Sequence, residues 1–414
     1  MRKINELTAL CILLMSTPVI CGAQASNPIP LSLNQAISRA IRLNPLVKEY
    51  KYALKGAKAV LVGAGVPQNP TLSLAQHVGK NTGGLDEDFL VTQTYPLGDR
   101  LRQQTYAAKD GITSAQNLLQ STQADLTASA STDYYAALQT TAQLKLAQYV
   151  LDYTKKFASA TLIEFQAGTA PKSNVLRSNI AVDQATQTVT QAEAAQKNAI
   201  SALCSLIGLP SDTPLKLTDS LEQASYAASL ESLQNFALQN RADLQSARNV
   251  KLADLANLHL ARTLNDPDLF LEIRHTPLFN YPAGNSIRLG ILFPIVDYGT
   301  QRSTVESAQA ALDQQQSQID ILKQRIDLEV TTAYNNLLAA RKSVDAYQNG
   351  ELTQTKDLLD MVQLGYSRGA NTYLELLDAQ QAYQTEQTNY INALASYDID
   401  LALLKKAEGG ELPK

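Results

Sequence analysis

The sequence predicts a mainly α-helical chain with a small β part, built as two copies of one long helical hairpin, each carrying a β-hairpin. Three observations predict it. The stretches 99–166 and 299–349 lack proline and almost lack glycine, and both far exceed an ordinary helix. Four short segments alternate apolar and polar residues, as half-buried strands do. The order helix, hairpin, long helix, turn and return helix then recurs roughly 200 residues later.

Composition narrows the class. The 414 residues are 45% hydrophobic, yet only 6% aromatic and without Trp, which suits slender packed helices better than a thick core. A formal net charge of −4 with no basic patch argues against nucleic acid as a partner.

Residues 1–25 read as a signal peptide. Arg2 and Lys3 precede an apolar stretch from Leu7 to Ile20, and Ala23-Gln24-Ala25 supplies the small-residue cleavage site. Cys21-Gly22 has the look of lipoprotein processing, but Ile20 is bulkier than the residue that usually precedes a lipidated cysteine. Cleavage after Ala25 would leave Cys204 alone, with no intrachain disulfide to form. Beyond the signal no run reaches the ~18 apolar residues of a membrane helix.

The first repeat spans 26–210. An extended leader ends at Leu31, and Ser32 with Gln35 forms a capping box that opens a helix. Asn44-Pro45 interrupts that helix, and a second piece follows to Leu61. Strands at 71–79 and 87–95 make the first hairpin, close to the ~9–11 residues of a tilted membrane strand. The helix 99–166 carries a narrow stripe of Leu119, Leu126, Tyr134, Leu138, Leu144, Val150, Tyr153 and Phe157. A tip at 165–171 contains Gly168 and Thr169, and a return helix runs from Ser173 to Ile207. A connector, 211–229, contains a short helical section.

The second repeat spans 230–408. It has a helix at 230–264, a hairpin from Asp268 to Phe293 and a long helix at 299–349. Its tip at 365–372 contains Gly365, Arg368, Gly369 and Asn371, and its return helix runs from Tyr373 to Lys406. Residues 409–414 are a tail.

Four strands cannot close a barrel, and open sheet edges are not tolerated in hydrocarbon. Several chains must therefore share one barrel, most simply by cyclic symmetry. The Gln, Thr and Ser faces of the helices would then line a wet lumen.

The ordered pieces resemble the TolC family of outer-membrane efflux ducts over residues 30–406. They are Leu31 to Ile37, Pro67 to Leu72, Phe293 to Gly299 with Arg302, Glu329 to Leu337, and Tyr366 to Asp378. The resemblance implies a homotrimer with a shared transmembrane β-barrel among outer-membrane lipid and an α-barrel in the periplasm of a Gram-negative cell. It also implies a periplasmic adaptor (membrane fusion) protein and an inner-membrane pump of the RND or ABC type. The tip residues Gly168, Thr169, Gly365, Arg368 and Gly369 fall where the adaptor would meet the duct. In the family a tyrosine before the second tip pairs with an acid after the first, here Tyr366 and Asn174, so that charge is lost. Asn371 stands where the family often has an arginine. Glu375 and Asp378, i and i+3 on one helix face, are ordinarily a solvated surface, but the implied symmetry turns them into stacked acidic rings that favour cations. The short chain and the Pro67-Gln68-Asn69-Pro70 junction resemble the heavy-metal branch; drug-efflux and type I secretion ducts share the fold. A periplasmic coiled-coil adaptor or scaffold is the competing class, and the hairpins separate the two.

No nucleophile–base constellation or phosphate loop is present, so no catalytic residue and no cofactor is expected. His77 and His275 sit in the hairpins without Cys, His or Met neighbours, and His259 stands alone, so no metal site is expected.

Overall fold

The computed structural model describes residues 28–77, 86–223, 228–276 and 284–410. The expected signal segment, Cys11, Cys21, both hairpin loops and the end of the tail lie outside these residues.

The leader does more than extend. Strand β1 (Ile29–Leu31) pairs in parallel with β4 (Leu215–Leu217), so the connector is tied to the chain's beginning. Among its described residues the connector is strand and extended chain, not the expected short helix. It is held from both sides: Asp219 accepts from the Leu33 N–H at 2.7 Å, and Leu221 packs against the core of each repeat. Tyr134 closes this region. It is fully buried, and its hydroxyl donates to the Leu31 carbonyl at 2.9 Å. Burial, before all else, pushes its pKa up to about 12.

Helix α1 (Leu33–Leu43) begins with the capping box Ser32–Gln35 as expected. Helix α2 (Pro45–Gly63) restarts after Asn44, whose side chain caps Leu46 N–H. In the second repeat the expected single helix is two, α5 (Leu230–Asn240) and α6 (Ala242–Arg262), broken at Arg241. No proline marks this break. Arg241 holds it through Asp243 at 2.7 Å and Glu329 at 2.5 Å.

Strands β2 (Thr71–His77), β3 (Asp86–Pro96), β5 (Asp268–Thr276) and β6 (Gly284–Leu292) form one antiparallel sheet in the order β2-β3-β5-β6. The second hairpin's return strand starts two residues earlier than its alternation suggested. Register puts Leu72, Leu74, Phe89, Val91, Leu271, Ile273, Ile287 and Leu289 on one face, all exposed. The other face is mostly polar: it carries Thr71, Ser73, Thr92, Thr94 and a 3.0 Å Arg288–Glu272 ion pair, with Leu90 and Phe270 among them. Apolar outside and polar inside is the pattern of a membrane barrel wall.

Two helices run the length of the molecule. Helix α3 (Arg100–Gln166) is continuous over 67 residues, about 100 Å. Helix α7 (Thr300–Ala346) passes through a π turn (Tyr347–Glu351) into α8 (Leu352–Ser367). Near the sheet the helices pack in a row α2-α3-α6-α7. Towards the tips, return helices α4 (Lys172–Leu206) and α9 (Tyr373–Glu408) pack on α3, and α9 also packs on α7 and α8. Among the described residues no helix is long and apolar enough to cross a membrane.

Tyr134→Phe removes the buried hydroxyl but leaves Leu31 C=O with the Thr218 N–H. It should cost about 1 kcal/mol in chemical denaturation. The wild-type protein should lose its tyrosine-dependent stability as pH rises from about 10 to about 12, because the folded state holds this proton more tightly than the unfolded chain.

Candidate functional site

The two tips are one turn built twice. After α3, Gly168 takes φ +77°, its N–H reaches the Phe165 carbonyl at 3.0 Å and Thr169 N–H reaches Glu164 at 2.9 Å. After α8, Gly369 takes φ +73°, its N–H reaches Tyr366 at 3.0 Å and Ala370 N–H reaches Gly365 at 2.8 Å. Both are Schellman motifs, in which a left-handed residue past the helix end lets two N–H groups satisfy the last carbonyls. Glycine is needed at each because a side chain is strained at that φ.

The restarts differ. Helix α4 begins at Pro171 without a side-chain cap. Helix α9 begins with a full capping box: Thr372 Oγ1 accepts from Glu375 N–H at 3.3 Å, and Glu375 Oε2 accepts from Thr372 N–H at 2.6 Å. Asn371 Nδ2 donates to the same oxygen at 3.2 Å. The Thr372 N–H, then Asn371, hold the Glu375 carboxyl below the usual range. Glu375 therefore caps its own helix end, and both it and Asp378, one turn on, are exposed. Gly365 serves the same corner, since a Cβ there would lie 1.7 Å from Asn371 Oδ1.

Tyr366 does not bond Asn174. Its hydroxyl donates to Glu164 Oε2 at 3.0 Å, on the last turn of α3 before the first tip. Asn174 comes after that tip, on α4, and lines the same cleft without reaching the phenol. Glu164 thus supplies the carboxylate acceptor that Asn174 lacks. Burial first, then the Glu164 bond, pushes the Tyr366 pKa up to about 12.

Aromatic rings back this bond. Phe157 stacks on Tyr373 with centroids 5.4 Å apart and planes at 11°, and Tyr366 leans on both. Helices α3, α8 and α9 are thus pinned together next to the tips. The cleft between the tips, about 610 Å³, is lined by Glu164, Asn174, Arg177, Tyr366, Asn371 and Tyr373. Glu164 and Arg177 were missed in the sequence; an acid one turn before a glycine tip was the available signal for the first. Gly168, Thr169, Arg368 and Gly369 are exposed at the outer ends of the tips, while Gly365 is half-buried beneath Asn371.

His77 and His275 fall on β2 and β5. His275 Nδ1 lies 2.7 Å from Asn285 Oδ1. Among the described residues no group of three His, Cys, Asp or Glu side chains gathers around a common point. Cys204 is buried, and burial pushes its thiol pKa up.

With this geometry in view, the comparisons with known proteins give the class. The profile of the family described as "Outer membrane efflux protein" matches residues 36–209 and 233–410, one match per repeat. The chain belongs to the outer membrane efflux protein family, whose members are passive channels rather than enzymes. It is an outer-membrane protein with a large periplasmic part. It is 24% identical to Protein CyaE of Bordetella pertussis, over 95% of this chain and 86% of that one. To Outer membrane protein TolC of Escherichia coli it is 27% identical over 30% of this chain, an alignment spanning 25% of that relative's length. Among solved structures it shares its fold with CusC (TM-score 0.78, 19% identity, 92% of both chains). It also shares it with VceC of Vibrio cholerae (TM-score 0.76, 18% identity, 91% of this chain and 96% of that one).

Gly365→Ala should displace Asn371 and loosen the second tip. Limited proteolysis should then cut near residue 369 several-fold faster than in the wild type, and Gly168→Ala should do the same near the first tip through strain alone.

Proposed function

We propose that the protein is the outer-membrane exit duct of a tripartite efflux system, exported by a signal at 1–25 and assembled as a trimer. The observation that carries this reading is the sheet: four strands, apolar on one face, mostly polar on the other, with unpaired edges at β2 and β6. Three such sheets complete a barrel that one cannot. The helices continue the tube, and the tips form its far end. A periplasmic adaptor meeting the exposed Gly168, Thr169, Arg368 and Gly369, and an inner-membrane pump behind it, would supply the energy, since gated diffusion needs none from the duct.

Gating follows from the tip chemistry. The Tyr366–Glu164 bond and the Phe157–Tyr373 stack hold α8 and α9 against α3. Breaking them frees the second tip to move outward. Asn174 and Asn371 leave the neutral part of the cleft, so closure rests on the one charge-assisted bond. Cation preference rests on both acids, since Glu375 and Asp378 are exposed and the cap keeps the Glu375 carboxyl ionised. A cationic cargo, as in the heavy-metal branch, fits an acidic ring at the narrow end, and choice of the ion would fall to the pump.

Outer-membrane fractions should contain heat-modifiable trimers that conduct in planar bilayers; a soluble periplasmic monomer would overturn the duct. Tyr366→Phe combined with Glu164→Gln should raise the open fraction several-fold in single-channel records. Alkaline pH should open the wild-type channel as it rises from about 10 towards about 12, because the closed tip holds the phenol proton. Asp378→Asn and Glu375→Gln should each lower the cation-to-anion permeability ratio, and an unchanged ratio in both would count against an acidic ring.

A further inference from the structure

The duplication supplies a template for a contact that one chain cannot show. In the row α2-α3-α6-α7, the joint between α3 and α6 brings the long helix of the first repeat against the short helix of the second. The row ends with α2 on one side and α7 on the other. These edge helices are the repeat partners of α6 and α3: Val47 matches Leu244, and Leu126 matches Ile326, all of them buried. Extending the row with a second copy sets α7 against the neighbour's α2, antiparallel, as α3 lies against α6.

The template also fixes the register. Ser114 of α3 and Ser246 of α6 meet at 2.9 Å between hydroxyls. Their repeat counterparts are Gln314 on α7 and Glu49 on α2. With Gln314 level with Glu49, Lys51 comes within one residue of the level of Asp313, and Lys58 within one residue of that of Glu306.

Charge on the two edges agrees with this alignment. Helix α2 carries Lys48, Lys51, Lys55 and Lys58, all exposed and without a carboxylate partner among the described residues. Helix α7 carries Glu306, Asp313, Asp320 and Asp327, each seven residues after the last and all exposed. Asp313 and Glu306 hold only i,i+4 contacts along their own helix, with Gln309 at 3.0 Å and Arg302 at 2.8 Å. Heptad spacing keeps a charge beside one seam of an antiparallel helix pair.

The rotations agree as well. On α2 the side away from α3 holds Tyr52, Gly56, Ala59 and Gly63, and a Cβ added at either glycine would meet nothing within 4 Å. On α7 the side away from α6 holds Ala310, Ile321 and Leu328, the last two 57% and 66% exposed. Small residues facing an apolar pair make a close-packed seam. From that seam the lysines on α2 and the acids on α7 are turned by roughly 90° in the same sense. In antiparallel helices, equal rotations in one sense bring side chains to the same surface of the wall. Within one chain the corresponding flank is largely neutral, with Arg248 and Thr113 in place of Lys51 and Asp313, and Leu255 and Tyr106 in place of Lys58 and Glu306.

We propose that Lys51 and Lys58 of one copy pair with Asp313 and Glu306 of the next, and that these pairs set the partner and register of the subunit seam. The proposal rests on the oligomeric duct reading above. The charges distinguish the seam between chains from the seam within a chain, so α2 selects α7 of a neighbour rather than a second α3.

Paired cysteines test it in the full-length protein carrying Cys204→Ala. Lys51→Cys with Asp313→Cys, treated in outer membranes with a short bis-maleimide, should yield covalent dimers and trimers, while Lys51→Cys with Asp327→Cys should not. Lys51→Asp should lower the trimer fraction several-fold on native gels, and adding Asp313→Lys to the same chain should restore it. Intact trimers that link only in the second pair, or a charge reversal that the second reversal does not rescue, would overturn the register while leaving the duct in place. Absence of any oligomer would overturn both.

Discussion

The backbone groups along the outer edges of β2 and β6 constrain the molecule. A sheet with one apolar face belongs in hydrocarbon, where an unpaired N–H or C=O has no water to fall back on and costs several kcal/mol. The chain cannot satisfy those edges alone, because its four strands follow each other in one open run. Ring closure through other copies is the remaining solution. The helices inherit it: the row α2-α3-α6-α7 also stops at two unpaired edges, one basic and one acidic. One symmetry operation would cover both the strand edges and the helix edges.

Duplication makes that solution economical, and divergence between the repeats makes it functional. Glu164 and Gly365 occupy equivalent places at the two tips, as do Phe165 and Tyr366. The divergence gives each tip its own part: Glu164 accepts from Tyr366, while glycine at 365 leaves room for Asn371. The same holds along the helices. Helix α3 is unbroken, while its counterpart passes a π turn in which Gly350 takes φ +150°. Beyond that turn α8 buries no residue of its own, whereas the matching part of α3 buries Thr154 and Thr161. The second tip therefore sits on a lightly packed arm, tied to its neighbours by the aromatic contacts at Tyr366 and by packing along α9.

Much of this was legible in the sequence because the signals are local. The Ser32–Gln35 box, the alternation at 71–77, and the glycines at both tips each follow from residues within a few positions of one another. The misses are non-local or depend on chemistry with no punctuation. Arg241 breaks a helix without proline or glycine, because its guanidinium finds Asp243 and Glu329. The connector reads as a short helix until β1 is available to pair with Leu215–Leu217. The family pattern points to position 174, after the first tip, for the acceptor of Tyr366. Its true position on α3 is set by how α8 lies against that helix, which no local pattern encodes.

How firmly the tips would hold can be bounded. A hydrogen bond to an ionised carboxylate is worth about 1.5–3 kcal/mol, towards the lower end where both groups are half-buried, as Tyr366 and Glu164 are. Three copies acting together would favour closure by roughly 5 kcal/mol, close to the ~5.5 kcal/mol that separates a 1:99 from a 99:1 population. A duct closed by that margin leaks little at rest, yet a partner that binds the open tips preferentially by a similar amount can open it. An arginine lock at Asn371 would add charge pairs and raise the opening cost. Without it, closure of this tip would rest on the Tyr366–Glu164 bond and the rings around it.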